Sequence, residues 1–138
     1  MIVKDVMTDS PLTVNADTPV GDVAQIFIDN DIRHLPVMEG DALVGIISDR
    51  DLRSIVMPRL VDQAAIDTLR TQHDEPISSI MASDPVKVNP DTDLVEVVDL
   101  MLEHRVGALP VVNAGSGDLA GIVSYVDVLR ALRDRLED

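Results

Sequence analysis

The chain contains no cysteine and no tryptophan, a single tyrosine (Tyr125), a single phenylalanine (Phe27) and only two lysines (Lys4 and Lys87). Each shortage excludes something. Without cysteine there is no disulfide, no thiolate nucleophile and no cysteine-based zinc site. With so few aromatic rings the core must be built from Val, Ile, Leu, Met and Ala, and a planar ligand would rest on aliphatic walls and backbone rather than on stacked rings. Positive charge is scarce as well: 11 Lys and Arg against 25 Asp and Glu give a formal net charge of −14. A nucleic-acid binder normally shows a basic stripe that displaces phosphate counterions. Here the overall field repels polyanions and anionic membranes, so neither nucleic acid nor membrane is expected as a partner. Aspartate greatly outnumbers glutamate, which fits a salt-rich cytoplasm or a GC-rich genome alike. The N-terminus, Met1-Ile-Val-Lys-Asp, has no apolar signal core and no run approaches the length of a membrane span, so a soluble, cytoplasmic protein is expected.

What is present is a core's worth of aliphatic residues and a repeat. Apolar residues make up 46% of 138 positions, enough for one compact domain or two very small ones. Val6-Met7-Thr8-Asp9-Ser10-Pro11 returns as Ile80-Met81-Ala82-Ser83-Asp84-Pro85. Val14-Asn15-Ala16-Asp17-Thr18 returns as Val88-Asn89-Pro90-Asp91-Thr92, and Leu35-Pro36-Val37 as Leu109-Pro110-Val111, all at a spacing of 74. After a two-residue insertion around Gly115 to Gly117, Gly45-Ile46-Ile47-Ser48 returns as Gly121-Ile122-Val123-Ser124 and Asp51 as Asp127. Four blocks in one order, present twice, make a duplicated unit.

Each unit reads as strand, helix, strand, strand, helix. In the first, Leu12 to Val14 is extended and Asp17 or Thr18 caps a helix. Its apolar positions Val20, Val23, Ala24, Phe27 and Ile28 fall on one helical face. Leu35 to Met38 and Ala42 to Ile47 are strands joined by the Glu39-Gly40-Asp41 turn, and Asp49 to about Met57 is a second helix. The second unit repeats this with Val86 to Val88, a helix Asp93 to His104 capped by Asp91-Thr92, strands Leu109 to Val112 and Leu119 to Val123, and a helix Tyr125 to about Leu136. The expected division is 1–57 for the first repeat, 58–76 for a connector with a possible helix over Asp62 to Thr71, and 77–138 for the second. Neither repeat alone buries much surface, which is a reason to keep both.

The ordered set Val6-Met7-Thr8, Arg33-His34-Leu35-Pro36-Val37 and Val44-Gly45-Ile46-Ile47-Ser48-Asp49-Arg50-Asp51, with its second copy, resembles a tandem pair of CBS domains, also called a Bateman module. Within that family the chain looks most like short stand-alone bacterial pairs and the N-terminal part of acetoin-utilisation-type proteins, without the latter's extra C-terminal domain. The resemblance implies an α/β (α+β) fold, two β-α-β-β-α units packed through their sheets with pseudo-twofold symmetry and two clefts between them. It also implies a homodimer shaped as a disc, AMP, ADP, ATP or S-adenosylmethionine as regulatory ligand, and an unidentified effector protein as a further partner. No cofactor is required.

The motif that carries the chemistry is Gly-h-x-Ser-x-x-Asp, where h is apolar. It occurs as Gly45 to Asp51 and as Gly121 to Asp127. Ser48 and Ser124 stand where a strand gives way to a helix, whose unpaired N–H groups and partial positive charge favour a phosphate. One turn on, Asp51 and Asp127 can accept the two protons of a ribose diol. The competing reading is a capping box, in which each Ser and Asp bond each other's backbone amides; a capping Ser can still face a ligand.

The copies differ around this motif. Arg50 has Val126 as its counterpart, Arg33-His34 has Gly107-Ala108, and Thr13 has Lys87. Arg33, His34, Arg50 and Lys87 are candidates to offset a ligand's charge, with surface ion pairs to Asp the competing reading for the arginines. Ala108 and Gly107 leave room for an adenine, and Thr13, Pro36 and Pro110 are further candidate ligand-binding residues. Unequal affinity of two sites, or one working site, follows. His34, His73 and His104 lie far apart without cysteine support, so no metal is expected, and His34 reads as a pocket wall or surface residue. Met7 and Met81 read as core or pocket-lining residues, with core the preferred reading. The helix Asp93 to His104 is apolar on more than one face, which calls for a second burial partner. No P-loop and no Ser–His constellation is present, so a non-enzymatic module is expected; a dimerisation or protein-interaction module with empty clefts is the alternative.

Overall fold

A computed structural model describes residues 1–56 and 74–137, the side chains of 54–56 excepted. The chain forms two compact units that do not follow chain order. One is Leu12–Asp84; the other combines Met1–Pro11 with Pro85–Asp138.

The unit Leu12–Asp84 holds a four-stranded sheet in the order β2-β3-β4-β5, with β2 Val14–Asn15, β3 His34–Glu39, β4 Ala42–Ser48 and β5 Ala82–Ser83. β2 runs parallel to β3, and β3, β4 and β5 are antiparallel neighbours. Helices α1 (Val20–Asn30) and α2 (Asp49–Val56) complete it. Its core is Val14, Val20, Val23, Phe27, Leu35, Val37, Ile47, Leu52 and Ile77. The second unit repeats the plan with β1 Thr8–Asp9, β7 Leu119–Ser124 and β6 Ala108–Val112 in that order. It adds helices α3 (Leu94–His104) and α4 (Tyr125–Leu136), and its core is Val3, Val88, Val97, Leu109, Val111 and Val123.

The leading segment of each repeat thus lies on the sheet edge of the other. β5, from the start of the second repeat, pairs with β4 through Gly45↔Ser83 and Ile46↔Ala82. β1, from the start of the first, pairs with β7 through Thr8↔Ile122 and Asp9↔Gly121. Met81 and Met7 go with these strands and, partly buried, pack against the two cores. Short 3-10 turns, Val3–Asp5 and Ile77–Ser79, precede the two edge strands and each buries one aliphatic side chain, Val3 or Ile77. The division by repeat at 1–57 and 77–138 follows the duplication; the division by packing is the exchanged one.

Several sequence expectations shift by a residue or two. The first helix is capped neither by Asp17 nor by Thr18. Its N-cap is Pro19, with no side-chain bond, and the Val20 amide donates to the Glu75 carbonyl at 2.9 Å. In the second copy the Leu94 amide donates to Met1 O at 2.9 Å, and Asp93 rather than Asp91 or Thr92 caps, accepting from the Val95 amide at 3.1 Å. Backbone carbonyls of the exchanged segments supply what a side chain was expected to supply. Ile28 is 74% exposed, not part of the buried face. Eight residues on from Val20 it has drifted to the stripe's edge, since 3.6 does not divide eight evenly. Val86 to Val88 forms only an isolated bridge, Val88↔Val111. The strands also run further than expected, so that His34 and Ser48 are strand residues, and the helix expected over Asp62 to Thr71 lies outside the described residues.

Candidate functional site

Each unit brings its motif residues to one end of a β-hairpin. In Leu12–Asp84, the first residue of β3, His34, stands opposite the last residue of β4, Ser48. Here the chain turns directly from strand to helix, and the Asp49 amide donates to the Arg33 carbonyl at 2.9 Å. In the other unit Ala108 stands opposite Ser124 and the Tyr125 amide donates to the Gly107 carbonyl at 2.8 Å. The same backbone lock thus fixes both strand-to-helix corners.

The Ser-x-x-Asp side chains close capping boxes at both corners. The Ser48 amide donates to Asp51 Oδ2 at 3.0 Å and the Asp51 amide to Ser48 Oγ at 3.1 Å. The Ser124 amide donates to Asp127 Oδ2 at 2.9 Å, the Asp127 amide to Ser124 Oγ at 3.4 Å, and the Ser124 hydroxyl to Asp127 Oδ2 at 3.2 Å. Both of the bonds that the Asp127 carboxylate accepts end on Oδ2. Oδ1 therefore keeps its lone pairs for a further donor, and an ionised carboxylate has capacity for about four. All four side chains are half-buried, so each corner is capped while remaining open to solvent on one side.

Around this common frame the two corners carry different chemistry. Arg33 and Arg50 are exposed beside the half-buried His34, Ser48 and Asp51. Their counterparts are Gly107 and Val126, both half-buried, and the buried Ala108. Pro36 and Pro110 are buried within the paired strands, opposite Ile46 and Ile122. Thr13 directly precedes β2, whose Val14 pairs with Val37, and so lies beside Pro36 in register. Lys87 holds the equivalent place beside Pro110, whose carbonyl accepts from the Val88 amide at 3.1 Å, and it is exposed. Within Leu12–Asp84 the fold therefore gathers Arg33, His34, Ser48, Arg50 and Asp51 at one corner, with Pro36 and Thr13 next to it. Within the other unit it gathers Ala108, Ser124 and Asp127, with Pro110 and Lys87 next to them.

The acidity of His34 is displaced. Burial pulls its imidazole below the ordinary value of 6.5; the carboxylates of Asp49 and Asp51 oppose this and Arg33 adds to it. The folded state thus favours neutral His34. Between the folded value and the unfolded one near 6.5, the unfolded chain binds more protons. The contribution of His34 to stability is therefore complete above the unfolded value and is lost as pH falls through the folded one. Wild type should lose stability relative to His34→Gln as pH is lowered from 7 toward 5. Paired thermal melts would show it, and parallel curves for the two proteins would rule the effect out.

Asp49 was not singled out by sequence, yet it acts on His34 and pairs with Arg53 at 3.6 Å. Its i, i+4 spacing to Arg53 was the available signal. Among the described residues no group of three His, Asp or Glu side chains could hold a metal ion, and no helix is long and apolar enough to cross a membrane.

Comparison with known proteins agrees with the duplicated geometry. The sequence model of the CBS domain matches residues 3–58 and again 77–134. A CBS domain-containing protein of Dictyostelium discoideum is 36% identical over 138 residues, covering 99% of this chain and 94% of that one. CBSX2 of Arabidopsis thaliana, solved in complex with AMP, superposes with a TM-score of 0.78 at 29% identity over 96% of each chain. The CBS domain pair of protein MJ0100, solved with 5′-methylthioadenosine and S-adenosyl-L-methionine, superposes with a TM-score of 0.77 at 26% identity over 98% of each chain.

Proposed function

Because the chain belongs to the CBS domain family, we propose that it is a non-enzymatic, cytoplasmic regulatory module that binds an adenine nucleotide at its Ser-x-x-Asp corners and works as a homodimer. The observation that carries this reading is the duplicated corner itself. A helix N-terminus with a half-buried serine and an aspartate is repeated in two units, and basic residues gather at one of them. A helix N-terminus suits phosphate, and a carboxylate one turn on suits a ribose diol. The AMP and S-adenosylmethionine held by similar CBS pairs make AMP, ADP, ATP and S-adenosylmethionine the ligands to test. Arg33, His34, Arg50 and Lys87 offset phosphate charge in this reading. Ala108, with Gly107, admits the base, and Thr13, Pro36 and Pro110 line the approach. Regulation then follows from a ligand that binds one arrangement of the protein better than another, passed on to an effector protein.

The closed capping boxes favour one alternative, an interaction module whose serines and aspartates only cap helices. Thermal unfolding against the four ligands separates the two. A ligand at about a hundred times its dissociation constant adds about 2.7 kcal/mol, a rise of several degrees for a protein of this size. Asp51→Ala and Asp127→Ala each lose about 1 kcal/mol as lost caps under either reading, so the quantity to compare is the ligand-induced shift from each variant's own baseline. A shift abolished by one of these variants assigns the working corner. Tyr125, the only strong intrinsic fluorophore in a chain without tryptophan, sits between Ser124 and Asp127 and gives a second readout. No shift with any ligand in a folded protein would overturn the nucleotide reading.

A further inference from the structure

His34 and Ser48 stand opposite each other at the open end of the β3–β4 hairpin, on the other face from the buried pair Leu35 and Ile47. The imidazole is half-buried, and among the described residues no hydrogen bond engages either of its nitrogens. Both are therefore open to a proton or to an acceptor. Among the described residues the charges that act on the ring are Asp49 and Asp51, from the first turn of α2, and Arg33, which directly precedes β3. Asp31, the C-cap of α1, is exposed and does not displace it. Arg50 and Arg53, both exposed, complete the ionisable groups of this turn, with Arg53 in an ion pair to Asp49.

Charge balance shows what this corner lacks for a phosphate. Arg33, Arg50 and Arg53 set three positive charges against the two negative ones of Asp49 and Asp51, an excess of one. A phosphate monoester brings about −1.5 to −2 at neutral pH. A proton on His34 raises the excess to two and meets that charge. Without a phosphate nearby, burial disfavours this proton; a phosphate against the ring favours it. Binding and protonation then support each other, because each is easier once the other has occurred. The second corner has no such group. Ala108 stands in place of His34, Gly107 of Arg33, Tyr125 of Asp49, Val126 of Arg50 and Leu129 of Arg53.

We propose that the first corner takes up a phosphate-bearing nucleotide together with a proton, which His34 receives and donates to a phosphate oxygen, while the second corner binds without one. This coupling to pH rests on the nucleotide reading given above. Calorimetric titration of the full chain with AMP, from about pH 8 down to about pH 6.5, tests it, with adenosine as the ligand that lacks phosphate. AMP should bind about threefold tighter or more at the lower pH, the ceiling for one proton being about tenfold per pH unit. The phosphate's own protonation, near pH 6, works in the opposite direction, and adenosine should show no such gain. Titrations in two buffers of different ionisation heat should show net proton uptake with AMP. His34→Gln should abolish both the uptake and the gain, with circular dichroism confirming that it is folded. On wild type alone, the His34 ring resonances followed by NMR should titrate about one pH unit higher with AMP bound. AMP binding that is indifferent to pH, or a gain that survives in His34→Gln, would overturn the coupling and leave the nucleotide reading standing. No binding of AMP anywhere in this range would overturn the coupling too, and the thermal shifts with the other ligands decide the nucleotide reading separately.

Discussion

Gly121→Ala is expected to cost about 3 kcal/mol, the upper end of what overpacking by a single methyl group does. A β-carbon built on Gly121 stands 2.5 Å from the Thr8 carbonyl oxygen and 3.0 Å from the Met7 sulfur. The obstructing oxygen is backbone, in a strand paired to β7 at Thr8↔Ile122 and Asp9↔Gly121, so it cannot move without unzipping that edge. Gly45 is the same position in the other unit. There a β-carbon would meet the Met81 sulfur and stand 2.9 Å from the Ala82 carbonyl oxygen. A methionine side chain can swing aside and the backbone is less crowded, so Gly45→Ala should cost about 1–2 kcal/mol. Gly115 has nothing within 4 Å and serves as the control, near neutral. Urea unfolding would measure all three. If Gly121→Ala were as stable as Gly115→Ala, the close seating of β1 on β7 would be wrong. The motif glycine then has a structural reason: it lets the exchanged segment lie flat on the sheet edge just before the chain reaches the site serine.

That exchange marks where sequence reasoning stopped. The duplication was legible because identities such as Leu35-Pro36-Val37 and Leu109-Pro110-Val111 recur in order, and the strand-to-helix corner because Ser48 and Ser124 end apolar runs. The periodicity of Val20, Val23 and Phe27 correctly found the inner face of α1. Which sheet receives Val6-Met7-Thr8 was not legible, because its partner lies more than a hundred residues away and both repeats offer an identical glycine edge. The helix caps failed for a related reason. The carbonyls of Glu75 and Met1 that satisfy Val20 and Leu94 belong to backbone, and a backbone acceptor leaves no signature in residue types. At the corners, residue types identified Ser-x-x-Asp but could not choose between cap and ligand contact. The structure shows the cap is made, and at Asp127 it is made through one oxygen, which leaves both roles compatible.

On the nucleotide reading proposed above, function is carried by a difference between the two copies of this corner. Backbone locks, caps and strand pairing are duplicated almost residue for residue, so the fold treats the two corners alike. Arg33, His34 and Arg50 against Gly107, Ala108 and Val126 are then free to diverge, because none of them makes the bonds that hold its corner together except through backbone. On the nucleotide reading proposed above, that set tells apart a ligand bearing phosphate from one lacking it, and single-corner variants compared ligand by ligand would test this.

Raising KCl from 0.1 to 1 M should stabilise the protein by up to about 3 kcal/mol and lift its melting temperature monotonically. The reason is the net charge of −14 on a fold that buries no described polar or charged residue. Its carboxylates face water, and the two ion pairs among the described residues, Arg53–Asp49 and Arg133–Asp134, neutralise few of them. Two like charges about 10 Å apart in water repel by about 0.4 kcal/mol unscreened, about 0.15 at 0.1 M salt and close to nothing at 1 M, where the screening length is about 3 Å. Some twenty such pairs amount to about 3 kcal/mol, a large share of the roughly 5–15 kcal/mol that holds a domain folded. The unfolded chain spreads its charges apart and gains less from salt, so the difference appears as stability. Melts in KCl, repeated in equimolar sucrose controls and with Asp9 and Asp41 changed to Asn, would test this. The neutralised variant should melt higher at low salt and converge with wild type at high salt. A melting temperature indifferent to salt would mean that the carboxylates are compensated in the fold, and the acidic surface would then be no obstacle to folding at ordinary ionic strength.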